Sequence, residues 1–135
     1  RRPWEHGPQR ILCPVNFTDV SQQALDWAQT LAARFEAELV LLTAVEDDDG
    51  DAARASMAAS CDAAGGACRA RGVVREGEAA SQILQAVGEE AADLIVIGAQ
   101  HRPFLETTTL GTTSVRVGRH APCPVLTIPA GSQSV

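Results

Sequence analysis

Glycine and hydroxyl residues in the last third of the chain have the types and spacing that hold phosphates in many folds. An apolar run ends at Gly98, and Gly111 precedes three hydroxyl residues, 112–114, where a helical pattern begins. Glycine lets backbone N–H groups come close to an anion, and a helix N-terminus carries roughly half a positive charge. The chemistry indicated is phosphate binding, which makes a nucleotide the first ligand class to consider.

Short apolar runs alternate with longer helical segments, and these are the elements that must position the glycines. The apolar runs predict five strands, at residues 11–15, 39–42, 73–74, 93–97 and 124–128. Helical periodicity and alanine-rich composition predict four helices, at residues 21–35, 52–71, 81–91 and 112–120. Such alternation is typical of a parallel sheet covered by helices on both faces. We therefore expect a single α/β domain with three layers, helix, sheet and helix.

The order of these elements also predicts where a ligand would bind. In a parallel sheet of this kind, ligands bind beyond the carboxyl ends of the strands, where the strand order reverses. The first predicted strand ends at Val15 and Asn16, and the fourth ends at Ile97 and Gly98. We expect the binding site to lie between these two loops.

Composition and charge argue against several classes of function. Of the 135 residues, 45% are hydrophobic and 21% charged, which is typical of a soluble globular protein. The formal net charge of −6 argues against nonspecific binding to nucleic acid or to an anionic membrane. No apolar run approaches the roughly 20 residues of a membrane span. We expect a cytoplasmic protein with no nucleic-acid partner and no membrane insertion.

The four cysteines show no pattern of a disulfide framework or a metal site. Cys61 and Cys68 lie in one predicted helix, where two turns would separate their Cα atoms by roughly 10 Å. No CxxC pair is present, so zinc binding has little support. We expect reduced thiols and no bound metal at the cysteines.

Four segments, taken in order, resemble the universal stress protein family. Residues 11–18 are similar to the family's opening, an apolar strand followed by Pro-Val-Asp-Phe-Ser. Gly77 with Ile83 resembles the glycine and helix start that precede the third helix. Residues 93–98 and 119–126 are similar to the family's usual sequence motifs at the corresponding positions. The resemblance covers almost the whole chain and implies a domain over residues 10–130, with a disordered leader or linker before it and a tail at 131–135.

The resemblance implies more about the architecture and the assembly. The family's sheet has strand order 3-2-1-4-5 and is similar to Rossmann-like and adenine-nucleotide-hydrolase-like folds. Its members form dimers through the fifth strand, where Val125 and Thr127 would pair with their symmetry mates. The chain could also be one domain of a fused or tandem protein.

Two residues depart from the pattern of the ATP-binding members. Those members carry a loop of the form Gly-x2-Gly-x9-Gly-Ser/Thr, which Gly98, Gly111 and Thr112 match in spacing. His101 replaces the second glycine, and Asn16 replaces the aspartate after the first strand. A Cβ at position 101 limits how closely the backbone can approach a phosphate, and an amide is a poorer Mg²⁺ ligand than a carboxylate.

The resemblance nevertheless implies a site for ATP or ADP, with Mg²⁺ as a second candidate ligand. The adenosine side would be bounded by Pro14, Val15, Asn16 and Ala44. The phosphate path would be lined by Gly98, Ala99, Gln100 and His101, and the phosphates would be held by Gly111, Thr112, Thr113 and Ser114. The acidic segment 46–51 could either hold Mg²⁺ over the phosphates or be a solvated loop.

Three functions stay open at this point. The first is a nucleotide-binding regulatory module in a stress response. The second is a dimer that acts through protein contacts without nucleotide, which His101 and Asn16 favour. The third is a slow ATPase, although no serine–histidine–acid order or nucleophile elbow is visible and we assign no catalytic residue.

Overall fold

Strands and helices alternate along the chain. The computed structural model describes residues 7–45, 50–99 and 112–129. In chain order its elements are β1 (Arg10–Pro14), α1 (Asp19–Phe35), β2 (Glu38–Val45), α2 (Gly50–Ala64), β3 (Arg69–Glu76), α3 (Ala79–Glu89), β4 (Leu94–Ala99), α4 (Thr112–His120) and β5 (Val125–Pro129). The strands are parallel neighbours in the order β3-β2-β1-β4-β5. The predicted fold class and strand order are confirmed.

Alternate residues of the central strands face two separate apolar cores. Ile11 and Leu39 belong to the core under α1 and α2, whereas Leu12 and Val40 belong to the core under α3 and α4. All four side chains are completely buried, and burial of such a side chain contributes about 1.5–3 kcal/mol. Because both faces of the sheet are covered, the central strands are almost continuously apolar in sequence.

The structure differs most from the sequence prediction between residues 52 and 71. The predicted helix ran through Arg71, but α2 ends at Ala64 and β3 begins at Arg69. Gly65 and Gly66 follow the helix, and backbone N–H groups of residues 65, 67 and 68 close the turn on carbonyls of the last helical turn. The sequence predicted only residues 73–74 of this strand. The rest was missed because β3 lies at the sheet edge, where its exposed arginines interrupt the apolar pattern.

One of those arginines, Arg71, belongs to a network of ion pairs at the amino ends of the strands. Glu38 on β2 lies 2.8 Å from Arg10 Nε and 3.6 Å from Arg71 Nε. Arg71 also pairs with Glu90 at the end of α3, and Arg10 Nη1 donates to the Glu90 carbonyl at 2.6 Å. This network holds the end of α3 against β1, β2 and β3, at the opposite edge of the sheet from the predicted site.

All four cysteines are free thiols. Cys13 lies in the middle of β1, and burial raises the pKa of its thiol to about 12. Such a thiol stays protonated and packs as an apolar side chain. Within the described ranges, no helix is long and apolar enough to span a membrane.

Candidate functional site

A cavity of about 180 Å³ opens where the strand order reverses, beyond the carboxyl ends of β1 and β4. It is bounded by the ends of β1, β2 and β4 and by the first turns of α1, α3 and α4. Its described lining consists of Pro14, Val15, Asn16, Thr18, Val20, Ser21, Leu42, Ala44, Ala79, Ile83, Ile97, Gly98, Thr113 and Ser114. The position agrees with the rule for doubly wound sheets.

Most of the predicted site residues that the structure describes meet at this cavity. Those lining it are Pro14, Val15, Asn16, Ala44, Gly98, Thr113 and Ser114. Ala99, which is buried and lies opposite Pro129 of β5, does not line it. Thr112 begins α4, but its side chain is not described, and Gln100, His101 and Gly111 lie outside the described residues.

The sequence prediction missed half of the lining. The first turn of α1 contributes Thr18, Val20 and Ser21, and α3 contributes Ala79 and Ile83. Topology supplies the signal that could have found them, because each helix follows the carboxyl end of a parallel strand and so begins at that edge of the sheet.

The turn from β1 into α1 is fixed by a compact set of hydrogen bonds. Thr18 caps α1: its Oγ1 accepts from Ser21 N at 3.3 Å, while Ser21 Oγ accepts from Thr18 N at 3.2 Å. Phe17 has a φ of 62°, a left-handed conformation that costs energy in a non-glycine residue. These contacts hold Asn16 at the mouth of the cavity.

The same turn fixes the orientation of the Asn16 side-chain amide. Asn16 Oδ1 accepts from Thr18 N at 3.3 Å and from Thr18 Oγ1 at 2.6 Å. The backbone N–H can only donate, so the accepting atom must be the amide oxygen. Among the described residues, the amide nitrogen of Asn16 has no acceptor, so its two hydrogens could be donated to a ligand in the cavity.

Gly98 has a packing role at the end of β4. A Cβ at this position would lie 2.8 Å from both Cγ1 and the carbonyl oxygen of Val20. Real Cβ contacts are longer than this, so glycine is what allows the first turn of α1 to pack against β4. The carbonyl oxygen of Gly98 also accepts from Ser114 Oγ at 3.2 Å, which joins α4 to β4. The single hydroxyl hydrogen of Ser114 is therefore engaged within the protein.

The electrostatic character of the cavity comes from the backbone. None of the described lining residues carries a charged side chain. The first turns of α1, α3 and α4 all border the cavity, and the N–H groups of a first turn have no partner within their own helix. Each helix start adds a partial positive charge. This arrangement favours an anionic ligand at the β4–α4 side, opposite the apolar ends of β1 and β2.

One ion pair spans the rim of the cavity. Gly77, with a φ of 134°, turns the chain from β3 towards α3, and Glu78 is the N-cap of that helix. The carboxylate oxygen Oε1 of Glu78 lies 2.5 Å from Arg116 Nη1 on α4 and accepts from Ser81 Oγ at 2.9 Å. The hydrogen bond from Arg116, followed by that from Ser81, lowers the pKa of Glu78 below its ordinary value.

The described residues contain no cluster of side chains suited to a metal ion. Within residues 7–45, 50–99 and 112–129, no group of three or more His, Cys, Asp or Glu side chains could hold a metal ion. Most of the acidic segment, residues 46–49, lies outside these ranges, and Asp51 lies 3.6 Å from Arg54 in α2. The predicted Mg²⁺ stays a prediction.

The fold and the cavity define a doubly wound α/β protein with a crevice at the reversal of its strand order. The model of the universal stress protein family matches residues 8–129, and the chain belongs to that family. The resemblance described from the sequence is thereby confirmed.

Relatives and solved structures agree with this assignment. A universal stress protein of Methanocaldococcus jannaschii is 26% identical, over 94% of this chain and 85% of the relative. The structure of UspA from Lactobacillus plantarum is 27% identical, with a TM-score of 0.77 over 89% of this chain and 97% of that one. A universal stress protein solved in complex with cAMP is 24% identical, with a TM-score of 0.77 over 90% and 97% of the two chains.

Proposed function

We propose that this chain is an adenine-nucleotide-binding regulatory module of the stress response, with ATP or ADP as its ligand. The observation that carries the proposal is the cavity at the carboxyl edge of the sheet, where three helix starts meet an apolar wall. Apolar surface suits a base and helix starts suit phosphates, so the two halves of the cavity match the two halves of a nucleotide. We also propose a cytoplasmic location, which agrees with four free thiols.

The lining residues suggest how the ligand would lie. Val15 and Ala44, at the ends of β1 and β2, would contact the base. Asn16 would donate a hydrogen bond to the nucleoside, and the first N–H groups of α4, near Thr113, would bind the phosphates. Gln100, His101, Gly111 and Thr112 would complete the phosphate side, as their positions in the family pattern imply. The related protein that was solved with cAMP supports an adenine nucleotide as the ligand class.

The test is isothermal titration of the nucleotide-stripped protein with ATP, with and without Mg²⁺, and with AMP as a weaker ligand. We expect micromolar binding of ATP, roughly −8 kcal/mol. Thr113→Glu should abolish it, because the carboxylate would fill and repel the phosphate position at the start of α4. Gly118→Glu places the same charge in an open position of the same helix and should bind normally. Absence of ATP binding by the folded wild type would overturn the proposal.

A dimer that acts through protein contacts is the second candidate, and one observation favours it. β5 is an edge strand with Leu126 37% exposed. Pro124 O accepts from Ile95 N on β4, so by alternation the N–H and C=O groups of Val125 and Thr127 point to the free edge. We propose that a second copy pairs there.

No observation in the described part of the site favours the slow ATPase, which a phosphate-release assay would detect.

A further inference from the structure

We propose that Arg116 is a phosphate-binding side chain of this site, and that Glu78 holds it at the rim until an anionic ligand arrives. This rests on the proposed nucleotide binding and adds a residue that closes on the ligand. Arg116 does not line the cavity in the present structure. Its helix position, its partner and the charge of the cavity together point to this role.

The helix position directs Arg116 towards the site. It lies three residues after Thr113, on the same face of α4, and Thr113 lines the cavity. Long side chains on a helix extend towards its N-terminus and cover the preceding turn. This direction would allow the guanidinium to reach the first turn of α4, where the phosphates of a nucleotide would be bound.

The partner of Arg116 also lies at the rim. Glu78 directly precedes Ala79, which lines the cavity, so the 2.5 Å contact bridges the start of α3 and the middle of α4. The two side chains are 46% and 56% exposed, and ion pairs this accessible to water are weak. Exchange of the carboxylate for a phosphate would leave no buried charge. Glu78 would keep the hydrogen bond from Ser81 Oγ at 2.9 Å.

The charge of the cavity explains why Arg116 would exchange the Glu78 carboxylate for a phosphate. The described lining contains no cationic side chain, whereas a bound triphosphate carries several negative charges. Arginine binds phosphate oxygens through two parallel hydrogen bonds, which makes it better suited to this role than helix N–H groups alone. The other basic residues of α4, Arg119 and His120, lie in its last turn, at the far end from the cavity.

Competition between Glu78 and the phosphates gives the proposal a distinctive signature. Arg116→Gln should weaken ATP binding roughly tenfold, as expected for loss of a hydrogen bond to a charged group. It should leave the affinity for adenosine within about twofold of the wild-type value, because adenosine has no phosphate for Arg116 to bind. Glu78→Gln should strengthen ATP binding, because it frees Arg116 and removes a negative charge from the rim. In the Arg116→Gln background, Glu78→Gln should have a much smaller effect.

The experiment is titration of wild type, both single variants and the double variant with ATP and with adenosine, each checked by thermal unfolding. Arg116→Lys is the conservative control and should recover part of the ATP affinity. A ratio of ATP to adenosine affinity that is unchanged in Arg116→Gln would overturn the role of Arg116, even with lowered thermal stability. If folded wild type binds neither ligand, the nucleotide proposal falls as well. If wild type binds ATP and the Arg116 variants bind it with the same affinity, the Arg116 proposal falls and the nucleotide proposal stands.

Discussion

Several residues that suggest phosphate chemistry have packing roles of their own. Gly98 is required by the close approach of Val20, and the Ser114 hydroxyl bonds the Gly98 carbonyl. Asn16 replaces the family's usual aspartate but still accepts both hydrogen bonds from Thr18. An amide and a carboxylate can each supply that oxygen, so the turn tolerates either. At this position an asparagine offers a ligand a hydrogen-bond donor, where an aspartate would offer a negative charge.

The packing role of Gly98 leads to a prediction about stability. Gly98→Ala should lower the free energy of unfolding by about 1–3 kcal/mol, because the new Cβ meets the backbone carbonyl of Val20, which cannot swing away. Gly118→Ala is the matched control. Nothing lies within 4 Å of its added Cβ, and it should stabilise α4 by up to about 1 kcal/mol. Urea denaturation measures both, and equal stability of Gly98→Ala and wild type would contradict the contact.

Pairs of elements are joined by charges at both edges of the sheet. At the amino edge, Glu38 and Glu90 hold the end of α3 through Arg10 and Arg71. At the carboxyl edge, Glu78 joins the start of α3 to the middle of α4 through Arg116. The first set is remote from the cavity and ties the layers together. The second borders the cavity, where the same charges can also meet a ligand.

The ion pair at the carboxyl edge makes stability depend on pH. The folded state lowers the pKa of Glu78 below 4.5, so the unfolded chain binds the proton first as the solution is acidified. The stabilisation is therefore complete well above pH 4.5 and is lost as the pH falls below that value. Denaturation of wild type and Glu78→Gln across this range measures the effect. The variant should lose less stability on acidification, and parallel curves would contradict the assignment.

At the scale of the whole molecule, the two outer strands of the sheet, β3 and β5, differ in the side chains that they present. β3 presents three arginines at its edge, which discourage strand pairing. β5 presents apolar and hydroxyl side chains, with Leu126 partly exposed. A second copy adding to β5 would continue the sheet and hide this edge. The charge pattern therefore favours β5 as the edge at which two copies meet.

The dimer proposal is tested at one backbone position. Thr127→Pro removes an N–H that points to the free edge and leaves the bonds between β4 and β5 in place, so it should convert a dimer to a monomer. Light scattering coupled to size exclusion gives the mass, and circular dichroism shows that the fold is kept. Thr127→Val retains the N–H and should stay dimeric. A folded, dimeric Thr127→Pro protein would contradict pairing through β5.

The sequence by itself determined the class of fold, because strand and helix patterns report burial within short segments. The runs at β1, β2 and β4 were correctly placed, and α4 was predicted with the bounds that the structure has. The family resemblance supplied the strand order. The pattern failed at β3, where an edge strand buries too little of its surface to show an apolar run.

Tertiary structure alone decided the details of the site. Val20 and Gly98 meet because α1 packs on the end of β4, and Glu78 and Arg116 are 38 residues apart in the chain. No periodicity reports such a contact, since it depends on how the crossovers close the helices onto the sheet. The sequence therefore predicted which loops would form the cavity, whereas packing decided which side chains face it and which of them are already engaged within the protein.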